Sequence, residues 1–398
     1  MPTVSGHRDI GIVADYMFHG GAEAVTDTLA GMFPGATIYA SMVDETHLSA
    51  YPNVAGVRAA GRVRTGAAQA LWPVIRRIRA LSAYHAYPIA FAAAAFQKVR
   101  SHDAVIVTCS AQAKLFRIPP GTGVVVYFHT PTRWLYPGLM SEGDLAAISP
   151  FQRRLISLFN KVLGPLDRLG MRRLKAHDPL WLCSSSYVRD QVGRIYGVDC
   201  RVIAPPVDIG RFEPRGRAPE DFFLYHGRVT FQKRVDVAIE GCLSARVPLR
   251  ISGAAEDPRL LRHLGSIVSR AEAQDPSLKG LVTFLGRTSD AELKDLFQRC
   301  RALIFPPRED FGLTPIEAIS AGVPVVAFGE GGALDYVRPG LNGCFFDRQT
   351  GDSLAAVLRS FDDAAFPAET VAGSLPDFSS DRFRREMQAV LDSLPGAA

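Results

Sequence analysis

The stretch Ala302-Leu303-Ile304-Phe305-Pro306-Pro307-Arg308-Glu309-Asp310-Phe311-Gly312-Leu313-Thr314-Pro315-Ile316-Glu317, continued to Ala321 and then by Pro324-Val325-Val326-Ala327-Phe328, decides the fold. It reads as a buried strand, a polar loop, a helix over Pro315 to Ala321 and a second buried strand. Two short apolar runs separated by a helix imply parallel pairing in a sheet covered on both faces. Working upstream, the same rhythm begins with strand Phe222 to His226. It runs through helix Arg234 to Leu243, strands Leu249 to Ser252 and Val282 to Leu285, and helix Asp290 to Cys300. A first series precedes it: strand Ile10 to Ala14, a His19-Gly20-Gly21 turn and a helix from Ala22 to Met32. Strands Thr37 to Ala40, Ala104 to Cys109, Gly123 to His129, Leu180 to Cys183 and Arg201 to Ala204 follow. Pro205-Pro206 and Glu213-Pro214-Arg215-Gly216 interrupt the rhythm as a linker would. The economical architecture is α/β, two Rossmann-like doubly wound domains, with ligands outside the carboxyl ends of the strands and the functional cleft expected between the halves.

Composition is consistent with this. A chain of 398 residues is too long for one ordinary core. With 47% hydrophobic and 21% charged residues it suits a packed globule, which excludes wholesale disorder or a fibre. Six dispersed cysteines with no CxxC pair support neither a zinc ribbon nor a disulfide scaffold and fit a reducing compartment. The most apolar run, Ala86 to Phe96, is too short to span a bilayer and contains Pro88, and no long apolar segment opens the chain, so a cytoplasmic location without a signal peptide is expected. Net charge is only +5, but Thr46 to His102 contains no acid and carries Arg58, Arg62, Arg64, Arg76, Arg77, Arg79, Lys98 and Arg100. A second basic stretch, Phe151 to His177, places Arg153, Arg154, Lys161, Arg168, Arg172, Arg173 and Lys175 among aliphatic residues at helical spacing. Such stretches are either solvated faces or contacts to an anionic membrane surface, and neither contains a nucleic-acid motif. Arg76, Arg77 and Arg79, interleaved with Trp72, Ile75, Ile78 and Leu81, are the first candidate contact set. Arg172, Arg173 and Lys175 are the second.

Four constellations carry candidate chemistry. Glu309 falls in a loop at a strand's carboxyl end. Thr314 reads as an N-cap with Pro315 first in the helix and Glu317 third, so Glu317 either completes a capping box or accepts hydrogen bonds from a ribose. The amides of Gly312, Leu313 and Thr314 would suit an anion. Arg228 and Lys233, in His226-Gly227-Arg228-Val229-Thr230-Phe231-Gln232-Lys233, are either solvated cations or the pair that stabilises a diphosphate leaving group, with Gly227 letting the backbone pass close. His19-Gly20-Gly21-Ala22-Glu23 is either a glycine turn or a phosphate approach, and it is not a GxGxxG fingerprint. His129, in Phe128-His129-Thr130-Pro131-Thr132-Arg133-Trp134, is either structural or at the cleft.

In order and spacing, Glu309-x7-Glu317, Gly227-Arg228-x4-Lys233, Gly20-Gly21-Ala22-Glu23 and Gly331-Gly332 resemble the retaining glycosyltransferases of family 4, which have the GT-B fold. The resemblance covers nearly the whole chain, and His129-Thr130-Pro131 with Arg133-Trp134 is similar to the bacterial mannosyltransferases of O-antigen and exopolysaccharide biosynthesis. It implies an acceptor-binding domain over residues 1–206, a sugar-nucleotide-binding domain over 207–375 and a C-terminal helix within 376–398 returning to the first domain. Arg228 and Lys233 would hold the diphosphate, Glu317 the ribose, and Glu309 the donor sugar's hydroxyls. The amides of Phe311, Gly312 and Leu313 would orient that sugar. His129 would meet the hexose near its reacting face, and Gly20-Gly21 would approach the phosphates. Asp335 stands where the family usually has glutamate, and Ser252-Gly253-Ala254 has one glycine where two are common. No Asp-x-Asp and no GxxxxGK[ST] occurs, so neither a metal-bridged diphosphate site nor a P-loop is indicated and no metal is expected to be required. The expected activity is retaining transfer of a hexose, mannose from GDP-mannose, to a polyprenyl-diphosphate-linked oligosaccharide. The site of action is then the inner face of the cytoplasmic membrane, where the protein binds peripherally and no nucleic acid is involved. A UDP-sugar donor, or a non-catalytic sugar-nucleotide or anionic-surface binder on the same scaffold, is the alternative.

Overall fold

Short runs rich in β-branched and aromatic residues form two parallel sheets in the computed structural model of the chain. The structure describes residues 8–395 except 18–19, 73–90, 141–142, 144, 146–147 and 256. His19, Ile75, Arg76, Arg77, Ile78, Arg79 and Leu81 therefore lie outside the described residues.

One sheet has seven strands: β1 (Ile10–Met17), β2 (Thr37–Val43), β3 (Val63–Thr65), β4 (Ala104–Cys109), β5 (Gly123–Phe128), β6 (Leu180–Cys183) and β7 (Arg201–Val202). Their order is β3-β2-β1-β4-β5-β6-β7, and neighbours are parallel. The other has six: β8 (Phe223–His226), β9 (Leu249–Ser252), β10 (Val282–Gly286), β11 (Leu303–Phe305), β12 (Val325–Phe328) and β13 (Gly343–Phe346). They run in the order β10-β9-β8-β11-β12-β13, again parallel. Strand order reverses between β1 and β4 in the first sheet and between β8 and β11 in the second. Loops leaving such neighbours part to opposite sides and open a crevice at the carboxyl ends. The expected pair of doubly wound α/β domains is present.

Helices cover the sheets: α1 (Gly21–Met32), α2 (Pro52–Ala59), α3 (Pro150–Lys175) and α4 (Ser186–Tyr196), then α5 (Val235–Ala245), α6 (Pro258–Gln274), α7 (Asp290–Arg299) and α8 (Leu313–Ser320). They are followed by α9 (Gly351–Arg359), α10 (Ala368–Gly373) and α11 (Ser380–Asp392). The chain divides into two compact units, Met1–Leu139 with Pro150–Pro206 and Ser380–Ala398, and Met140–Ser149 with Val207–Ser379. In the first unit Phe383, Met387, Val390 and Leu391 of α11 are buried in one core with Ile10, Ile12, Leu29 and Ala30. The six cysteines are free thiols. Among the described residues no helix is long and apolar enough to cross a membrane.

Several boundaries differ from the sequence reading. Helix α8 starts two residues earlier, at Leu313, with Gly312 at the N-cap in a left-handed conformation (φ 89°) and no side chain capping it. Thr314 is thus inside the helix, Glu317 is its fifth residue, and the Thr314-to-Glu317 capping box does not form. Strands β3 and β13 and helix α6 were not anticipated.

Candidate functional site

In the second unit side chains bridge the crevice between the two loops at the reversal. The loop after β8 carries Gly227, Arg228 and Lys233, and the loop after β11 carries Glu309, Phe311 and Gly312. Lys233 Nζ and a Glu309 carboxylate oxygen form an ion pair, each side chain about one fifth exposed. Residues separated by 76 positions are brought into contact because β8 and β11 are adjacent in the sheet although β9 and β10 intervene in sequence. Arg228 lies exposed in the same loop as Lys233, with its carbonyl accepting a 2.9 Å hydrogen bond from the buried Tyr225 hydroxyl. Gly227 takes φ 144° and donates its N–H to Ser252 O at 3.0 Å, so the loops after β8 and β9 run against each other.

The motif loop is held from beneath. The fully buried Tyr336 hydroxyl lies 2.7 Å from Phe311 O and 3.0 Å from Gly312 O. A Cβ at Gly312 would meet that hydroxyl at 2.8 Å and Phe305 Cζ at 2.9 Å, and the positive φ independently requires glycine. Gly331 and Gly332 pack directly on the backbone of Glu309 to Phe311: Gly332 N–H donates to Glu309 O at 2.8 Å, and a Cβ at Gly331 would stand 3.1 Å from Glu309 N. Gln349 ties the two loops together, donating to Pro306 O and accepting from Arg234, both at 2.8 Å. Gly331, Gly332, Tyr336 and Gln349 support this loop through contacts that no local spacing in the sequence announces. The first-turn amides of α8 lack intrahelical partners by construction of a helix, and Pro315 has none to offer.

Glu317 pairs with a different cation, Arg211. Its carboxylate is 3.1 Å from Arg211 Nη2, and Arg211 Nη1 lies 3.7 Å from Asp290. Burial pushes the Glu317 carboxyl above its ordinary value, against the attraction of Arg211. Arg211 was missed because it lies in what reads as linker. Nearby, His226 Nδ1 is 2.8 Å from Ser252 Oγ, which is 2.7 Å from Thr288 Oγ1. Burial, helped by Arg211, lowers this imidazole to about 4.

In the first unit, His129 follows the last residue of β5, and its N–H still donates to Cys109 O at 2.9 Å. The ring packs edge-on to Tyr127 at 5.0 Å, and burial lowers its pKa to about 4, so it is neutral at pH 7. Its Nε2 is buried with no hydrogen-bond partner among the described residues. An unsatisfied buried nitrogen costs about 1–3 kcal/mol unless a ligand or water completes it. The loop that follows is pinned: Lys114 Nζ, fully buried, contacts Thr132 Oγ1 at 2.5 Å, Asp167 Oδ1 at 2.7 Å and the Tyr196 hydroxyl at 3.1 Å. Tyr136 donates to the other Asp167 oxygen at 2.7 Å. Burial opposes the charge on Lys114, but Asp167 overrides it and holds the ammonium well above its usual value. Gly20 and Gly21 stand at the start of α1. The Gly20 N–H donates to the Tyr51 hydroxyl at 2.9 Å, and Gly20 has extended backbone, so its lack of a side chain matters for space, since a Cβ would meet Glu23 Oε2 at 2.9 Å.

Residues 209–363 match the family model of the glycosyl transferases group 1. The D-inositol 3-phosphate glycosyltransferase of Rhodococcus jostii is 28% identical over 256 residues, covering 57% of this chain and 54% of that protein. The lipopolysaccharide core biosynthesis mannosyltransferase LpsB of Rhizobium meliloti is 29% identical over 224 residues, covering 50% and 60%. The chain spans about half the length of these curated relatives. Among solved structures, that of Anabaena Alr3699/HepE in complex with UDP and glucose covers 98% of this chain and 100% of its own, with TM-score 0.63 and 16% identity. The two-unit architecture is the GT-B fold.

Proposed function

We propose that this chain is a retaining glycosyltransferase that takes a hexose, mannose from GDP-mannose, and joins it to a polyprenyl-diphosphate-linked oligosaccharide at the inner face of a bacterial cytoplasmic membrane. The observation that carries the reading is the Lys233–Glu309 ion pair at the β8/β11 reversal, inside the stretch that matches the group 1 model. A nucleoside diphosphate would compete for the lysine, and the released carboxylate would accept the donor sugar's hydroxyls. Lys233 and Arg228 would stabilise the departing diphosphate. As the glycosidic C–O bond breaks, its electron pair leaves with the diphosphate. The acceptor hydroxyl then attacks the oxocarbenium-like carbon from the same face and gives up its proton to the departing diphosphate oxygen. Glu317 would take the ribose, and the neutral His129, through Nε2, the hexose. The Rhizobium relative is named a mannosyltransferase, which supports the donor sugar; the Anabaena neighbour was solved with UDP, which keeps a UDP-sugar as the second reading.

A thermal-shift panel of GDP- and UDP-sugars tests the donor. A ligand at about a hundred times its dissociation constant stabilises the folded state by about 2.7 kcal/mol, and GDP-mannose is expected to give the largest shift. Preference for a UDP-sugar overturns the donor and leaves the reaction class intact, whereas absence of sugar transfer to a lipid-linked acceptor leaves only the binding-protein alternative. Since this reading gives leaving-group stabilisation to Lys233 and Arg228, EDTA is expected to leave turnover unchanged. Loss on chelation with recovery on adding magnesium or manganese overturns the metal-free mechanism.

A further inference from the structure

Helix α3 has two faces of opposite character. Toward its own unit it buries Leu163, Asp167, Gly170, Met171 and Leu174. Away from it, Phe151 is 73% exposed, Leu158 60%, Val162 64% and Leu169 37%. Steps of seven, four and seven residues place these four in one row, and the row is about 27 Å long at 1.5 Å per residue. Single exposed apolar residues are ordinary, but a continuous row along a helix calls for a partner.

The charges beside the row state what kind. The helix carries seven basic residues and one acid, and that acid, Asp167, is fully buried against Lys114. Arg154, Lys161, Arg168 and Arg172 are exposed, so the outward face presents apolar and cationic groups and no carboxylate of its own. A second copy docked through the same face would set cation against cation. An anionic bilayer answers both features: the apolar row enters the boundary between headgroups and acyl chains, and the long basic side chains extend to the lipid phosphates.

We propose that the outward face of α3 is the surface by which this protein docks on anionic lipid. The proposal rests on the transferase reading above for its biological occasion, a lipid-linked acceptor, while the surface itself is argued from exposure and charge. The test is co-sedimentation of the full chain, without donor, with phosphatidylglycerol-containing vesicles and with pure phosphatidylcholine vesicles, at low and high salt. Binding to the anionic vesicles is expected to be at least about tenfold tighter and to weaken with salt. Leu158→Ser with Val162→Ser, and separately Lys161→Gln with Arg168→Gln, are each expected to weaken it about tenfold or more while far-ultraviolet circular dichroism and melting temperature stay unchanged, because all four side chains are exposed. Equal binding to both vesicle types, or wild-type binding by both variants, overturns the proposal. So does a concentration-dependent dimer in sedimentation velocity that the Leu158→Ser, Val162→Ser variant abolishes, since a second copy then covers the face. Transfer assayed in parallel on a soluble acceptor analogue separates the two readings: an inactive chain that binds vesicles removes the transferase reading alone, and an active chain that does not bind removes this one alone.

Discussion

Lys233 and Glu309 form a partly exposed ion pair, so a substitution at either changes charge at the β8/β11 crevice without opening the core. Lys233→Ala and Arg228→Ala are each expected to lower kcat about a hundredfold or more, equivalent to about 2.7 kcal/mol of leaving-group stabilisation. A loss within about threefold, read by release of nucleoside diphosphate, would remove these cations from the mechanism. Glu317 was open to two readings in the sequence, a cap or a ribose ligand. Starting α8 at Leu313 takes away the cap, and Arg211 takes its place as partner. Glu317→Gln keeps an acceptor for Arg211 and removes a buried charge whose pKa is raised. Its melting temperature is therefore expected to equal or exceed that of the parent, while nucleotide affinity measured by calorimetry falls about tenfold, the worth of a charge-assisted hydrogen bond. Unchanged affinity would leave the carboxylate a structural partner of Arg211.

At the scale of elements, the buried Lys114–Asp167 pair couples α3 to the loop after β5 that begins with His129. Lys114→Met strands a carboxylate with no exposure, and a loss of about 3–5 kcal/mol in urea unfolding is expected. Adding Asp167→Leu is expected to restore most of it, since two apolar side chains replace two desolvated charges. If the single variant loses no more than a surface pair does, about 1 kcal/mol, the network contributes little to anchoring that loop. Neither partner stood out in the sequence. Lys114 lies in a short run after β4, and Asp167 is the lone acid of a basic helix, a cue that has meaning only once the helix's inner face is known. The strands were easier to read: β4, β6 and β9 begin and end where the sequence places them, because their buried apolar residues, such as Val105 to Val107 in β4 and Leu249 and Ile251 in β9, stand out locally.

Across the whole chain the two depressed imidazoles make stability depend on acid. His129 in one unit and His226 in the other titrate near 4 in the folded chain, against 6.5 for an ordinary imidazole. Between those values the unfolded chain binds more protons, so stability is complete above pH 6.5 and declines as pH falls toward 4, by up to about 3 kcal/mol for each ring. The raised carboxyl of Glu317 acts in the opposite sense as it takes up its proton. Thermal unfolding followed from pH 7 to about 4 is expected to show a falling melting temperature that is flatter in the His129→Asn, His226→Asn variant; equal slopes would mean the rings are protonated in the folded chain.

Local chemistry settled the fold class and the kinds of residue at the candidate site. Apolar runs of strand length alternating with helices admit few arrangements other than parallel sheets, and cations, carboxylates and glycines placed just after such strands fall at the carboxyl edge whatever the topology. Partnerships were decided only in three dimensions. That Lys233 reaches Glu309 follows from β8 and β11 being neighbours; that Glu317 faces Arg211 follows from where α8 starts, which depends on Gly312 fitting against Tyr336 and Phe305. Which side of α3 is buried was equally undetermined, because apolar residues lie on both of its faces and only packing against Lys114 and its neighbours selects one. Ion pairs, caps and exposed faces depend on which surfaces meet across long sequence separations, and periodicity carries no record of that.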